Sequence, residues 1–252
     1  MKWYFLNTGA GSGRYNMDFD LQLAKNNRGD EVFFRLYRWN PYCISLGFNQ
    51  EFSSVNVNKA SRDKIDIVKR PTGGKAILHA EELTYSVVYP IAGDMSLRSL
   101  YCEINKALRE GLILYDERLS GIELESAQPD LRNFYKESLS EICFTVSVKS
   151  EINFSGKKLV GSAQRKIGRT ILQHGSILCG DYHTKIIDYL NLSGKEYSDA
   201  KTGMLKNTTE LKKILQNEVD YDKMSGCIIK GFEKFFNINF LNLDEEILIL
   251  SA

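Results

Sequence analysis

The 252-residue chain lacks paired cysteines, a histidine cluster, a long apolar run and any large excess of charge. Its five cysteines, Cys43, Cys102, Cys143, Cys179 and Cys227, are scattered singly with no CxxC pair, and there are only three histidines, His79, His174 and His183. A structural zinc site therefore lacks its usual ligand spacing, and no metal is expected. An odd number of dispersed thiols suits free cysteines in a reducing compartment. No apolar run approaches the ~18 residues of a membrane span. The N-terminus "MKWYFLNTGAGSG" has neither an apolar h-region nor a cleavage site, so a cytoplasmic protein with no membrane association is expected. The formal net charge of +1 and the absence of a reader motif argue against nucleic acid as a partner.

What is present is an ordinary globular composition, 43% hydrophobic and 26% charged, long enough to bury a substantial core. "KWYFLN", "EVFFRLYRW", "CISLG" and "IDIVKR" read as strands, and "YNMDFDLQLAK" has the spacing of an amphipathic helix. In "ELTYSVVYP" the alternation puts Leu83, Tyr85, Val87 and Tyr89 on one face. Residues 96–113 predict a long helix. Alternation over 144–154 followed by Ser155-Gly156 predicts a β-hairpin, and "TILQHGSILC" a further strand. From about residue 183 the character becomes helical. Strands in the middle and helices at the end, without regular βαβ alternation, predict an α+β fold.

"KRPTGGKAILH", residues 69–79, carries the densest chemistry. Pro71 fixes one turn dihedral, and Gly73-Gly74 allow backbone angles that side chains forbid. A phosphate loop of the Walker type needs GxxxxGK[ST] opening a helix; here a strand-like "AILH" follows. A tight turn and a ligand loop both remain open, the second favoured by Arg70, Lys75 and His79 within ten residues.

Cys143 follows the polar "KESLSEI" at a strand boundary, where a thiol could be reactive; the other four cysteines read as small core residues. A nucleophilic thiol needs a lowered pKa, which a lysine cation can supply. With the turn at Ser155-Gly156, Lys158 faces Asn153 on the polar side and Lys157 faces Phe154, which makes Lys158 the better candidate. A straight strand from Cys143 to Asn153 would hold the two roughly 33 Å apart, so the pair requires the segment to bend back. The stretch 155–175 contains Lys157, Lys158, Arg165, Lys166 and Arg169 and no acidic residue, either a solvated face or a docking patch for an acidic partner.

Taken in order, "LYRWNPYCISLGFNQ", "KRPTGGKAILHAEELTYSV", "CF", "GKKLVGSAQ", "ILQHGSIL" and "IIKGFEK" resemble the biotin/lipoate A/B protein ligase family from about Asn16 to Phe236. Within it they are most similar to the cysteine-dependent octanoyl-carrier-protein:protein N-octanoyltransferases. Lys75 stands where ATP-dependent ligases of the family have a third glycine, and Cys143 precedes Lys158 by the transferases' fifteen residues. The resemblance implies mixed and antiparallel β-sheets packed with helices, the biotin/lipoate protein ligase catalytic-domain fold. It implies one catalytic domain over 1–252, with a helical C-terminal portion at about 207–252.

It further implies that Cys143 is the acyl-thioester nucleophile and that Lys158 lowers its pKa and orients the acyl carbonyl. Arg70, Gly73, Gly74, Lys75 and His79 would form one wall of an acyl pocket, and Gly161, Ser162 and Ala163 the other. The family's loop begins with two arginines and ends His-Asp; here Lys69 and Ala80 stand instead, and Ala80 removes an orienting partner for His79. The implied partners are octanoyl-acyl carrier protein and a lipoyl-domain acceptor, with no cofactor. Two alternatives are an ATP- and Mg-dependent lipoate–protein ligase, and a non-catalytic module that binds lipoyl domains.

Overall fold

Strands Lys2–Gly11 (β1) and Glu31–Trp39 (β2) lie side by side and parallel, joined by helix Gly13–Asn26 (α1). They begin the chain in the computed structural model, which describes residues 1–27, 29–91, 96–124 and 151–242. Ser12 ends the strand and starts the helix: its Oγ accepts from the Tyr15 N–H, a cap of the kind worth about 1 kcal/mol. The unit does not extend into regular βαβ alternation along the chain, in keeping with the α+β expectation.

After β2 the chain makes a second, smaller sheet from Cys43–Leu46 (β3), Asp66–Lys69 (β4) and Ile77–His79 (β5), ordered β4-β3-β5. A short helix, Val57–Arg62 (α2), links β3 to β4. Strand Glu82–Pro90 (β6) returns to the large sheet antiparallel to β2, and helix Leu97–Tyr115 (α3) follows. Ile122–Leu124 (β7), Ile152–Phe154 (β8), Lys157–Ile167 (β9) and Thr170–Leu178 (β10) complete its far half. With Leu241–Asn242 (β11) on β1, the large sheet runs β11-β1-β2-β6-β10-β9-β8-β7. The expected strand over 144–154 is described only for Ile152–Phe154; Cys143 lies outside the described residues.

All nine residues of β6 are buried, because both its faces are covered. Leu83, Tyr85, Val87 and Tyr89, the face set by the alternation, join Leu100, Ile104 and Leu108 of α3 in the main core. Helix Tyr221–Phe236 (α6) adds Met224, Ile228 and Phe232 to that core. It packs on α3 backbone to backbone at two glycines: a Cβ on Gly231 would stand 2.3 Å from the Gly111 nitrogen. The opposite face of β6 carries Glu82, Thr84 and Ser86, also buried, and the site is built on it.

The C-terminal region is less helical than its composition suggests. The 183–192 stretch forms a 3₁₀ turn at Tyr182–Tyr189, helix Gly194–Asn207 (α4) follows, and the expected helix over 208–219 shrinks to Leu211–Leu215 (α5). It ends there because Gln216 takes a left-handed conformation. The chain then returns to the large sheet as β11, parallel to β1. Among the described residues no helix is long and apolar enough to cross a membrane.

Candidate active site

A narrow pocket, about 370 Å³ with its open mouth included, lies between the polar face of the large sheet and the small sheet. Met17 of α1 and Tyr37 and Trp39 of β2 form one side. Arg70, Ile77 and His79 come from the loop after β4 and from β5. Thr84 of β6 and His174, Gly175 and Ser176 of β10 form the back, and Gly161, Ser162 and Ala163 of β9 the remaining wall. Only that β9 wall is half-exposed throughout; Met17, Tyr37, Trp39, His174 and Ser176 are buried. The pocket is thus entered along β9 and floored by α1 and β2.

The glycine-rich loop owes its shape to Arg70. Its Nε donates to the Gly73 carbonyl (3.1 Å), Nη1 to the Ser45 carbonyl and hydroxyl (2.9 and 3.0 Å), and Nη2 to the Gly73 and Lys75 carbonyls (2.9 and 2.7 Å). A guanidinium has five N–H groups, so the buried Arg70 spends its fork on the protein's own oxygens. Arg165 of β9 clasps the loop from outside, donating to the Pro71 carbonyl and lying over the Phe48 ring. Across it runs Gly47, where a Cβ would stand 1.9 Å from the Gly74 carbonyl oxygen. The segment is a pocket wall held in place by internal bonds, and β5 follows it in place of a phosphate-binding helix.

Two histidines line the back of the pocket, each contacted at both ring nitrogens. His79 Nδ1 lies 2.8 Å from Glu82 Oε1, so its N–H donates there, and Nε2 lies 2.7 Å from the Ser45 hydroxyl. The Trp39 ring stacks on the imidazole at 4.1 Å. Ala80 offers no orienting group where the family has aspartate, and Glu82, three residues after His79, takes that place on Nδ1. Burial acts to raise the Glu82 carboxyl, but His79 and the hydroxyls of Thr84 and Ser176 more than offset it and hold it below its ordinary value. Glu82 Oε2 has no hydrogen-bond partner among the described residues.

His174 joins the loop to a buried charge network. Thr72 Oγ1 is 2.6 Å from its Nε2, and Nδ1 is 3.4 Å from Asp20 Oδ2. Asp20 in turn accepts from Arg35 Nη1 (2.9 Å), Tyr37 (3.0 Å) and Ser86 (2.8 Å). Burial lowers the His174 pKa, and Asp20 only partly opposes this. Burial would raise Asp20, but Arg35 and His174 hold it below the usual carboxylate range.

Lys158 sits on β9 three residues before Gly161. The hairpin has the expected register, Asn153 opposite Lys158 and Phe154 opposite Lys157, around Ser155 and Gly156 at φ 49° and 73°. Lys158 is 1% exposed, and its Nζ lies 2.9 Å from Glu151 Oε2. Of the cationic run, Lys158 is thus buried and Arg165 turned onto the loop, so the run does not present one continuous docking face; Lys166 and Arg169 are its exposed cations.

Among the residues expected from sequence, Arg70, His79, Gly161, Ser162 and Ala163 line the pocket together. Gly73, Gly74 and Lys75 do not line it; Gly73 and Lys75 give their carbonyls to Arg70. Met17, Trp39, Thr84 and Ser176 also line the pocket, and Glu82 stands behind it on His79, Thr84 and Ser176. For Glu82, Thr84 and Ser176 the signal in the sequence is the polar alternation Glu82, Thr84, Ser86 and His174, Ser176 inside otherwise apolar strands; Met17 and Trp39 carry no such signal.

This architecture, with a pocket set between the two sheets, is that of the lipoate and biotin protein ligase catalytic fold. The chain belongs to the lipoyl protein ligase A/B catalytic-domain family, which it matches over residues 12–233. It is 30% identical to Octanoyltransferase LipM of Staphylococcus epidermidis over 249 residues, covering 96% of this chain and 90% of that protein. It is 32% identical to Octanoyltransferase LipM of Carboxydothermus hydrogenoformans over 248 residues, with 95% and 88% covered. Its fold is similar to that of a putative lipoate protein ligase from T. acidophilum with bound lipoic acid: TM-score 0.75, 21% identity, 100% of this chain and 94% of that one.

Proposed function

We infer that this chain is an octanoyltransferase of lipoate biosynthesis that works through a cysteine thioester. The observation that carries this reading is similarity at 30% identity or more to octanoyltransferases over nearly its whole length. The pocket suits such a substrate: it is buried and lined by Met17, Trp39 and Ile77, which exclude water from an alkyl chain.

The donor is octanoyl-acyl carrier protein. The Cys143 thiolate attacks the thioester carbonyl, the carrier's thiolate leaves, and an octanoyl-enzyme forms. The ε-amine of a lipoyl-domain lysine then attacks that thioester, loses a proton to solvent and forms an amide as the Cys143 thiolate departs. The donor thioester carries the activation, so the reaction as written consumes no ATP. Lys158 supplies the cation that favours the thiolate. Gly161 to Ala163, Arg70 and His79 wall the alkyl chain, while Gly73, Gly74 and Lys75 shape the loop behind them.

The buried thiols fit this assignment. Burial pushes the Cys179 thiol up to about 12 and Cys43 well above its ordinary value, which keeps both as inert core residues. Intact mass spectrometry after mixing the protein with octanoyl-carrier protein and no ATP tests the reading. It predicts an octanoyl adduct in wild type that is absent from Cys143→Ala. Activity from free lipoate and ATP that survives in Cys143→Ser would replace it with the ligase reading.

A further inference from the structure

We propose that Glu151 is a positioning residue for acyl transfer, holding Lys158 as a directed ammonium beside the pocket and preventing its nitrogen from being acylated. The inference rests on the octanoyltransferase reading and deepens it.

The geometry begins with an irregularity in the hairpin. Ile152 pairs with Val160 and Asn153 with Lys158, so two steps along β9 match one along β8. In a regular strand Lys158 and Val160 would share a face. Their partners are adjacent residues of β8, whose side chains point to opposite faces, so the bulge turns Lys158 away from the core side that holds Ile152 and Val160. It thereby shares the face of Gly161 and Ala163, which line the pocket. Glu151 stands two residues before Asn153, on the same face, and its carboxylate meets Nζ at 2.9 Å with both side chains at most 3% exposed.

A structural role alone explains this pair poorly. Register is already set by the Ser155-Gly156 turn, by the continuous β9–β10 ladder and by the Thr209 N–H donating to the Lys158 carbonyl. Burying two charges costs several kcal/mol of desolvation, and apolar residues of similar size generally serve packing as well or better. The charge of Glu151 also reaches Tyr85 and Tyr101, whose hydroxyls hold Ser162 of the pocket wall.

The chemistry gives the pair a purpose. An ε-amine beside a thioester is itself an acceptor: its lone pair can attack the carbonyl, expel the thiolate and, after losing a proton, form a stable amide. Acylation of Lys158 would be a dead end. Paired with Glu151 as an ammonium, the nitrogen has no lone pair to offer, while its charge stays fixed in direction.

Glu151→Gln, compared with Glu151→Asp, tests the proposal on the full chain with octanoyl-carrier protein. E151Q should slow acyl-enzyme formation at least tenfold in kcat with KM within about twofold, a change a tenfold rate ratio expresses as about 1.4 kcal/mol. It should also shift iodoacetamide alkylation of Cys143 to higher pH and accumulate a hydroxylamine-resistant octanoyl adduct on Lys158. E151D, which keeps the charge, should retain the wild-type alkylation profile and show no such adduct; Glu151→Ser takes the place of E151Q should that variant not fold. A folded E151Q with wild-type kcat, alkylation profile and no Lys158 adduct overturns the proposal, as does equal loss in E151D. A wild-type protein that forms no Cys143 adduct would instead overturn the octanoyltransferase reading.

Discussion

At the scale of single residues, the site depends on side chains whose work is to hold other groups. Arg70 read as a cation near glycines, the usual sign of a phosphate partner, yet its five N–H groups bind carbonyls and a hydroxyl of its own loop and β3. Lysine cannot reproduce a planar fork. Arg70→Lys should therefore cost about 1.5–3 kcal/mol of stability, measured as a fall in the urea midpoint at unchanged m-value. An unchanged midpoint would show that the loop holds its own shape. For His79, Ala80 offers no orienting group. The partner, Glu82, lies on the next strand, and the turn between β5 and β6 brings it to Nδ1. A buried pair also anchors the floor. Asp20→Ala would leave the Arg35 guanidinium unpaired at 0% exposure and should cost about 3–5 kcal/mol in the same assay.

At the scale of elements, what could be read from the chain is what local chemistry dictates. Strand Glu31–Trp39, strand Glu82–Pro90 and helix Tyr221–Phe236 follow hydrophobic periodicity, and the hairpin register follows from a turn at Ser155-Gly156. The register shift between Ile152 and Asn153, the shortening of α5 at Gln216 and the parallel addition of β11 to β1 depend on distant packing and leave no local signal. The helix crossing is one such feature. Gly111 and Gly231 let α3 and α6 touch by backbone, so Gly231→Ala must push the helices apart. A loss of about 1–3 kcal/mol in thermal or urea unfolding is expected, with the octanoylation rate of the folded fraction unchanged. A rate loss without a stability loss would tie α6 to the site in a way this packing does not.

For the whole molecule, buried histidines couple stability to pH. Burial lowers the pKa of both His174 and His183 below the ordinary value near 6.5. The unfolded chain then binds more protons than the native one below that value, so stability falls as pH drops from about 7 toward 5. Asp20 and Glu82, held low in the fold, add a second loss at more acidic pH, through their own native values. Urea midpoints should decline over the first range, and His183→Gln, which removes one of the two titrating rings, should flatten the slope; a flat wild-type profile would contradict the assignment of neutral buried imidazoles. The fold class, the Gly161–Ala163 wall and the Lys158 register could be read from sequence, whereas the pocket floor from α1 and β2 required the tertiary arrangement.

The central claim is that an acyl group passes through the enzyme itself. Octanoyl-enzyme freed of donor and nucleotide by gel filtration, then mixed with a lipoyl domain, tests it in a single turnover. The account predicts that the octanoyl mass leaves Cys143 and appears on the acceptor lysine, in equal amount and without ATP. An adduct that stays on the enzyme, or transfer that requires ATP, would contradict it.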